Sequence, residues 1–343
     1  MPGPFRRSRH RPSMTPGSAE TRPAQRSRSL RTSRWFLVRL GGAVFVMWAV
    51  ATLTFFAIRL IPGDPAEAVL GGPGSQASQE TLDQVRSDYG LDLPLGVQYF
   101  NALGRLLTGD LGTSYALKVP VADLLLAQVG GTLVLALAAL ALAWLLALLL
   151  SLWSTGGGRF AAAIGQGIEL TSAALPHFWL ATVLIAVFSS TLGWLPPVST
   201  GGVAGLVLPT VTLAIPLAGF LAQVMRETLL DTLDAPFIVS ARARGESERG
   251  IRLRHALRHA SLPAISLSGW ALGYLISGAV VVETIFARPG LGRTLLQAVT
   301  LRDVPIVTGV VLLVALVYIL MTIITDAASR LADPRLRSAE AGR

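Results

Sequence analysis

Three ionisable side chains stand inside long apolar runs of this 343-residue chain: Glu169, His177 and Glu283. A charge in such a run is costly, so each is a candidate either to line a solute path or to pair with a neighbouring helix. Other chemistries are excluded by spacing. A phosphate cradle of the Gly-x-x-x-x-Gly-Lys-Ser/Thr type needs a lysine at its end, and the one lysine, Lys118, is followed by Val119 and Pro120. The four histidines (10, 177, 255 and 259) form no His-Glu-x-x-His pattern; His255 and His259 have helical i,i+4 spacing, but the surrounding arginines disfavour a cation. No Gly-x-Ser-x-Gly elbow is present, and the absence of Cys excludes a disulfide framework, a thiolate metal site and a cysteine nucleophile.

The other concentration of chemistry is the charged island from Asp234 to Pro263. It carries Arg242, Arg244, Arg249, Arg252, Arg254 and Arg258, with Asp231, Asp234, Glu246 and Glu248 just before or within it. Pro236 suits the first turn of a helix and Gly245 its C-terminal cap, so the spacing predicts a short helix between them. A second helical run is expected from about Glu246 to Ala260, with Ile251, Leu253 and Leu257 as its apolar contacts. Pro263 marks the expected start of a new membrane helix. Such an island is either a cytoplasmic loop that obeys the positive-inside bias with nothing docked on it, or a docking surface for a cytosolic subunit.

Only 14% of the residues are charged and 52% are hydrophobic, against about 25% charged in ordinary soluble domains. The net charge of +9 would suit nucleic acid, but nine arginines fall in the first 34 residues, ahead of the apolar runs; the pattern is that of a membrane protein. The chain then divides into a basic tail over 1–34, expected to be disordered; a first span over 35–61; a polar, acid-rich insertion over 62–128; a core over 129–333; and a tail over 334–343. Within the insertion, Gln79 to Tyr89 and Leu95 to Leu107 read as short amphipathic helices, the second with Val97, Phe100, Leu103 and Leu107 on one face. Gly71-Gly-Pro-Gly74 reads as a loop.

The core holds a second span from Gly130 to Trp153, a third from about Phe160 to Ser190, a fourth from about Ala204 to Met225, a fifth from Pro263 to about Phe286 and a sixth from about Val304 to Ile324. The charged loop over 230–262 joins the fourth to the fifth. The expected fold is an all-α polytopic membrane protein of six transmembrane helices. Six crossings place both termini on one side, where 20 basic residues gather against six on the other, so the termini and the charged loop are expected to be cytoplasmic and the insertion extracytoplasmic.

Ser240-Ala241-Arg242-Ala243-Arg244-Gly245, followed by Leu262-Pro263, resembles the EAA loop of ABC importer permeases in the form carried by peptide and nickel transporters. Val239 and Ser240 stand where the general motif has Glu and its first Ala, and the stretch from Gly245 to Pro263 is longer than the general spacing; both departures are usual in the peptide branch. Arg59-Leu-Ile-Pro-Gly-Asp-Pro65, Tyr89-Gly-Leu-Asp-Leu-Pro-Leu95, Gly109-Asp-Leu-Gly-Thr-Ser114 and Gly278-Ala-Val-Val-Val-Glu-Thr284 are similar to the same family. From about Trp35 to Arg337 the chain thus resembles the B-type permease subunit of dipeptide, oligopeptide and nickel ABC importers.

The resemblance implies a half-transporter of the bacterial inner membrane, paired with a homologous permease, two cytosolic ATPase subunits and an extracytoplasmic solute-binding protein. ATP and Mg2+ would lie on the ATPase subunits; no cofactor, metal or catalytic residue is expected in this chain. Phe237, Ser240, Ala241, Arg242, Ala243, Arg244, Gly245 and Glu246 would form the ATPase-coupling helix and its exit. Ala241 would keep the contact face small, Gly245 would let the backbone turn closely, and Arg242 and Arg244 would meet acids on the ATPase. The solute stays open among di- and oligopeptides, a nickel chelate and other small molecules. A gradient-driven secondary carrier is the rival from a different class, but it calls for inverted repeats or paired broken helices, and neither is visible. A membrane-bound hydrolase lacks a nucleophile–base pair.

Overall fold

A computed structural model describes residues 26–60, 63–70 and 77–332, and the elements it describes are helical. They are α1 (Arg26–Arg59), α2 (Pro65–Val69), α3 (Gln79–Asp88), α4 (Leu95–Leu107), α5 (Val121–Gly156), α6 (Gly158–Ala174) and α7 (His177–Leu184), the last continued by a π-helical stretch over Ile185–Thr191. After these come α8 (Ala204–Leu233), α9 (Pro236–Ala243), the single turn α10 (Glu248–Gly250), a π-helical stretch over Ile251–Ala256, α11 (Leu257–Ile285), α12 (Leu291–Thr300) and α13 (Val304–Ala332). The chain divides into two units, residues 1–45 and 46–343. In the first, the described residues are the N-terminal part of α1; the hydrophobic core lies in the second.

The apolar runs become spans, with three differences in detail. Among the described residues, five helices are long and apolar enough to cross a membrane: α1 from Val38, α5, α8, the run Glu248–Ile285, and α13 to Ala327. The expected third span is not straight. Leu175 and Pro176 break it, and α6 meets the α7 segment at 104°; proline removes a backbone donor and fixes its own φ, so a sharp turn falls there. Pro263, by contrast, does not begin a helix but sits inside one, between α10 and Ile285. Membrane helices tolerate such a proline where neighbours re-satisfy the freed backbone groups. Finally, α1 is already helical at Arg26, the first described residue and ahead of the expected Trp35; residues 26–34 contain no Pro or Gly to interrupt it. The rest of the basic tail, the Gly71-Gly-Pro-Gly74 loop and the 334–343 tail lie outside the described residues.

The core is built on close approach rather than bulk. On α5, Ala136, Ala139, Ala143 and Ala147 are fully buried, and Ala214, Ala218 and Ala222 repeat at one-turn spacing on α8. Small side chains at i and i+4 let two membrane helices pack backbone to backbone, which is where dispersion contacts are gained when lipid competes for apolar surface. Gly219 extends the α8 ridge: a Cβ there would lie 2.6 Å from the carbonyl oxygen of Glu169 on α6. Leu213, Leu217 and Leu221 of α8 and Leu275 of α11 fill the spaces between.

In the insertion, α3 and α4 have the bounds expected to within a residue, and Ser78 caps α3 by accepting from the Thr81 amide. Gly109-Asp-Leu-Gly-Thr-Ser114 is a turn with Gly109 and Gly112 at positive φ. It brings the Ser114 hydroxyl and the Ala116 amide to the Asp303 carboxylate at the start of α13. The insertion is thereby fastened to the last span.

Candidate functional site

Between α8 and α11 the chain makes the short helix α9. Ala235 is extended, and Pro236 supplies a first residue whose missing amide is not needed there. At the other end the Gly245 amide donates to the Arg242 carbonyl (2.9 Å) and the Glu246 amide to the Ala241 carbonyl (3.3 Å). This is a Schellman closure, and it requires a left-handed residue, which Gly245 provides at φ +82°. Nothing lies within 4 Å of a Cβ built on Gly245. Its requirement is therefore conformational, and the close contact expected at this position is not within the chain itself.

The inner face of α9 is Ile238 and Ala241, both buried against Ile251, with Leu233 and Ala235 alongside. Ala241 is thus not on the outward surface. Its small side chain admits Ile251 instead of trimming an external contact. The outward residues are Phe237 (45% exposed), Val239 (59%), Ser240, Arg242, Ala243 and Arg244. Arg242 is already engaged: its Nε and Nη2 donate to both carboxylate oxygens of Glu248, at 2.8 and 3.3 Å. Glu246 meets His255 Nε2 at 2.9 Å, and Ser247 caps the next turn through the Gly250 amide. These ties and the Ile238–Ala241–Ile251 cluster bind α9 to the helical run that continues as α11.

The three intramembrane ionisable residues occupy three separate places. Glu169, on α6, is fully buried, and its Oε2 accepts from Arg226 Nε of α8 at 2.8 Å. Glu283, also fully buried, accepts from Thr132 Oγ1 (2.6 Å) and from the Gly292 and Arg293 amides (2.8 and 3.2 Å) at the start of α12. Thr132 Oγ1 accepts in turn from the Leu291 amide. Glu283 is thus a capping group that joins α5, α11 and α12. The fit leaves no room to spare, since a Cβ on Gly290 would lie 2.1 Å from the carboxylate. His177 opens α7 directly after the bend and packs its ring 5.3 Å from Tyr274.

A feature missed in the sequence is a run of aromatic rings across three helices. Phe220 of α8 lies 5.1 Å from Trp270, Trp270 stacks on Tyr274 at 5.5 Å, and Tyr274 reaches His177. Trp270 and Tyr274 are one turn apart, and the exposed face of α11 continues them with Ser266, Ser277, Val281 and Thr284. The exposed large residues of α5 are instead apolar: Leu126, Val134, Leu137, Leu145, Leu149 and Trp153. The signal available was hydroxyl and aromatic side chains at helical spacing within an apolar run.

Comparison with known proteins covers nearly the whole of these elements. Residues 139–338 match the family model described as binding-protein-dependent transport system inner membrane component, and residues 32–136 match the N-terminal model of the same systems' membrane component. The glutathione transport system permease protein GsiC of Salmonella typhi is 33% identical over 88% of this chain and 98% of its own length. A putative peptide transport system permease protein of Brucella abortus (strain 2308) is 36% identical with the same coverage. Among solved structures, a chain of the MetNI methionine ABC transporter in an inward facing conformation superposes with a TM-score of 0.52 at 19% identity, over 61% of this chain and 96% of that one.

Proposed function

Because the chain belongs to the binding-protein-dependent transport system inner membrane components, we propose that it is one permease subunit of an ATP-driven importer of di- or oligopeptides. In this reading a homologous permease completes the conduit, a solute-binding protein delivers the peptide, and two ATPase subunits hold ATP and Mg2+. This chain brings no lysine-bearing phosphate cradle and supplies the path and the lever. The peptide solute is supported by the glutathione and peptide transport names of relatives matched over 98% of their own length and 88% of this chain.

The observation that carries the reading is the mounting of α9. An exposed eight-residue helix is packed through Ile238 and Ala241 onto Ile251, at the start of a helical run that continues to Ile285. Displacement of α9 by a bound subunit is therefore passed to α11 instead of being absorbed by a loose loop. Phe237, Val239, Ser240, Ala243 and Arg244 form the contact; Arg242 contributes through its pairing with Glu248. Counting α6 and the α7 segment as one broken span gives six crossings. Both termini and α9 then face the cytoplasm, as the arginine excess of the short loops favours.

For the path, the exposed face of α11 is a better lining than Glu169 or Glu283, which are fully buried, Glu169 paired through Oε2 with Arg226 and Glu283 bonded to Thr132 and two amides. Phe220, Trp270, Tyr274, Ser277 and Thr284 offer aromatic and hydroxyl groups without fixed charge, which suits peptides of varied side chains. The test is uptake of a labelled peptide into proteoliposomes holding both permeases and the ATPases, with the binding protein added. Uptake that requires ATP inside supports the reading. Uptake driven by a proton gradient without the ATPase subunits overturns it in favour of a carrier.

A further inference from the structure

Helix α4 is built the wrong way round for an element that folds onto a protein core. None of its thirteen residues is buried. Gln98, Asn101 and Arg105 share one face and, with Arg59, Asp110 and Tyr115, line a cavity of about 990 Å³ between α4 and the ends of α1 and α13. The other side carries Leu107 (85% exposed) and Phe100 (70%), with Val97 beside them; Phe100 also borders the mouth of the cavity. From Leu95 to Leu107 there is no acid, and Arg105 is the sole charge.

What covers the apolar side is indicated by where α4 is fastened. Tyr99 lies along α1: its ring is 5.3 Å from Phe55 and 5.8 Å from Phe56, and its hydroxyl meets Thr52 Oγ1 at 2.8 Å and Trp48 Nε1 at 3.0 Å. Thr52 and Trp48 are seven and eleven residues before Arg59, the last residue of α1. At about 1.5 Å per residue those atoms lie roughly 10 and 16 Å inside the end of the span. Gln98 bonds the Arg59 guanidinium at 2.7 Å, which fixes the polar side of α4 at the level of the span's end. Leu53 and Phe56 of α1 are exposed beside it, so the apolar side of α4 continues an apolar, outward-facing surface of a membrane span.

We propose that α4 is an interfacial membrane helix, with Phe100 and Leu107 in the acyl-chain region of the leaflet at the Arg59 end of α1, and with its polar face turned inward to the cavity. Amphipathic helices of this kind lie in the plane of the interface with the apolar face sunk about 5–10 Å, a depth that agrees with the attachment at Thr52. Lipid, and not a protein partner, covers this side. The inference requires only that α1 spans the bilayer and stands or falls apart from the transport reading.

The chain has no native Cys, so the test is a spin label on Phe100→Cys or Leu107→Cys. It is placed in the assembled transporter, with reactive cysteines of the other subunits replaced, in nanodiscs of phosphatidylethanolamine and phosphatidylglycerol. Leu145→Cys on α5 serves as the lipid-facing reference and Glu80→Cys on α3 as the aqueous one. Relaxation of the label by oxygen with loss of relaxation by a water-soluble nickel chelate, as at Leu145, is the expected result at both positions. Relaxation by the nickel chelate, as at Glu80, would overturn the proposal by showing a water-facing helix. Inaccessibility to both reagents would overturn it by showing a protein cover.

Discussion

Glu169 and Arg226 meet at 2.8 Å across two membrane helices, with the carboxylate fully buried and the arginine side chain 15% exposed. The pair fastens α6, the first arm of the bent span, to α8, which leads directly into the candidate contact helix. Removing one member leaves the other charge buried without its partner, which typically costs about 3–5 kcal/mol. Glu169→Ala is therefore expected to lower the thermal unfolding midpoint of the purified protein markedly, whereas Glu169→Leu combined with Arg226→Met recovers most of the loss. An unchanged midpoint in the single variant would show that the pair is not a structural fastening.

Gly245 is expected to tolerate replacement according to backbone conformation and not size, since a left-handed residue is needed and the space around it is open. Gly245→Asn should retain most coupled transport, because Asn adopts the left-handed region more readily than other side chains. Gly245→Val should lose about 1–2 kcal/mol of the α9 closure and hydrolyse more ATP per peptide imported. Equal stoichiometry in both variants would remove the closure from the coupling mechanism.

The Glu283 cap makes a local prediction. In Glu283→Ala the Gly292 and Arg293 amides and the Thr132 hydroxyl lose their acceptor in a buried place, at a cost of about 1–3 kcal/mol per unsatisfied group. Hydrogen exchange at Gly292 and Arg293 should quicken while the α5–α8 core stays protected. Unchanged exchange at these two amides would mean that the cap does not hold α12.

The lining of the path can be read with single cysteines in the otherwise Cys-free chain. Ser277→Cys and Thr284→Cys should react with a charged, water-soluble thiosulfonate in the assembled transporter, whereas Leu145→Cys should not. Protection of the α11 positions to the level of Leu145 would place that face against lipid or the partner permease.

Much of this architecture was legible because it is local. The apolar runs mark the spans, Pro236 and Gly245 bracket α9, and the bounds of α3 and α4 follow from short-range pattern. What was not legible depends on contacts between distant residues. Glu169 and Arg226 are 57 positions apart, and Glu283 meets Thr132 across 151, so an apolar run with one charge reads equally as a lined path or a paired strut until the helices are assembled. Prolines were ambiguous for the same reason. Pro176 bends a span and Pro263 does not, because tertiary neighbours decide whether the lost backbone bond is replaced. Ala241 was placed on the wrong side of α9, since a small residue suits an outer contact and an inner one equally well, and it is Ile251 that determines which.

The central claim is that the outward face of α9 is covered by an ATPase subunit, and maleimide labelling of Val239→Cys tests it most directly. Val239 is 59% exposed and Ala241 is 1% exposed, so the isolated permease pair should label readily at Val239→Cys and poorly at Ala241→Cys. Addition of the ATPase subunits should abolish labelling at Val239→Cys. Labelling at the same rate with and without them would contradict the account.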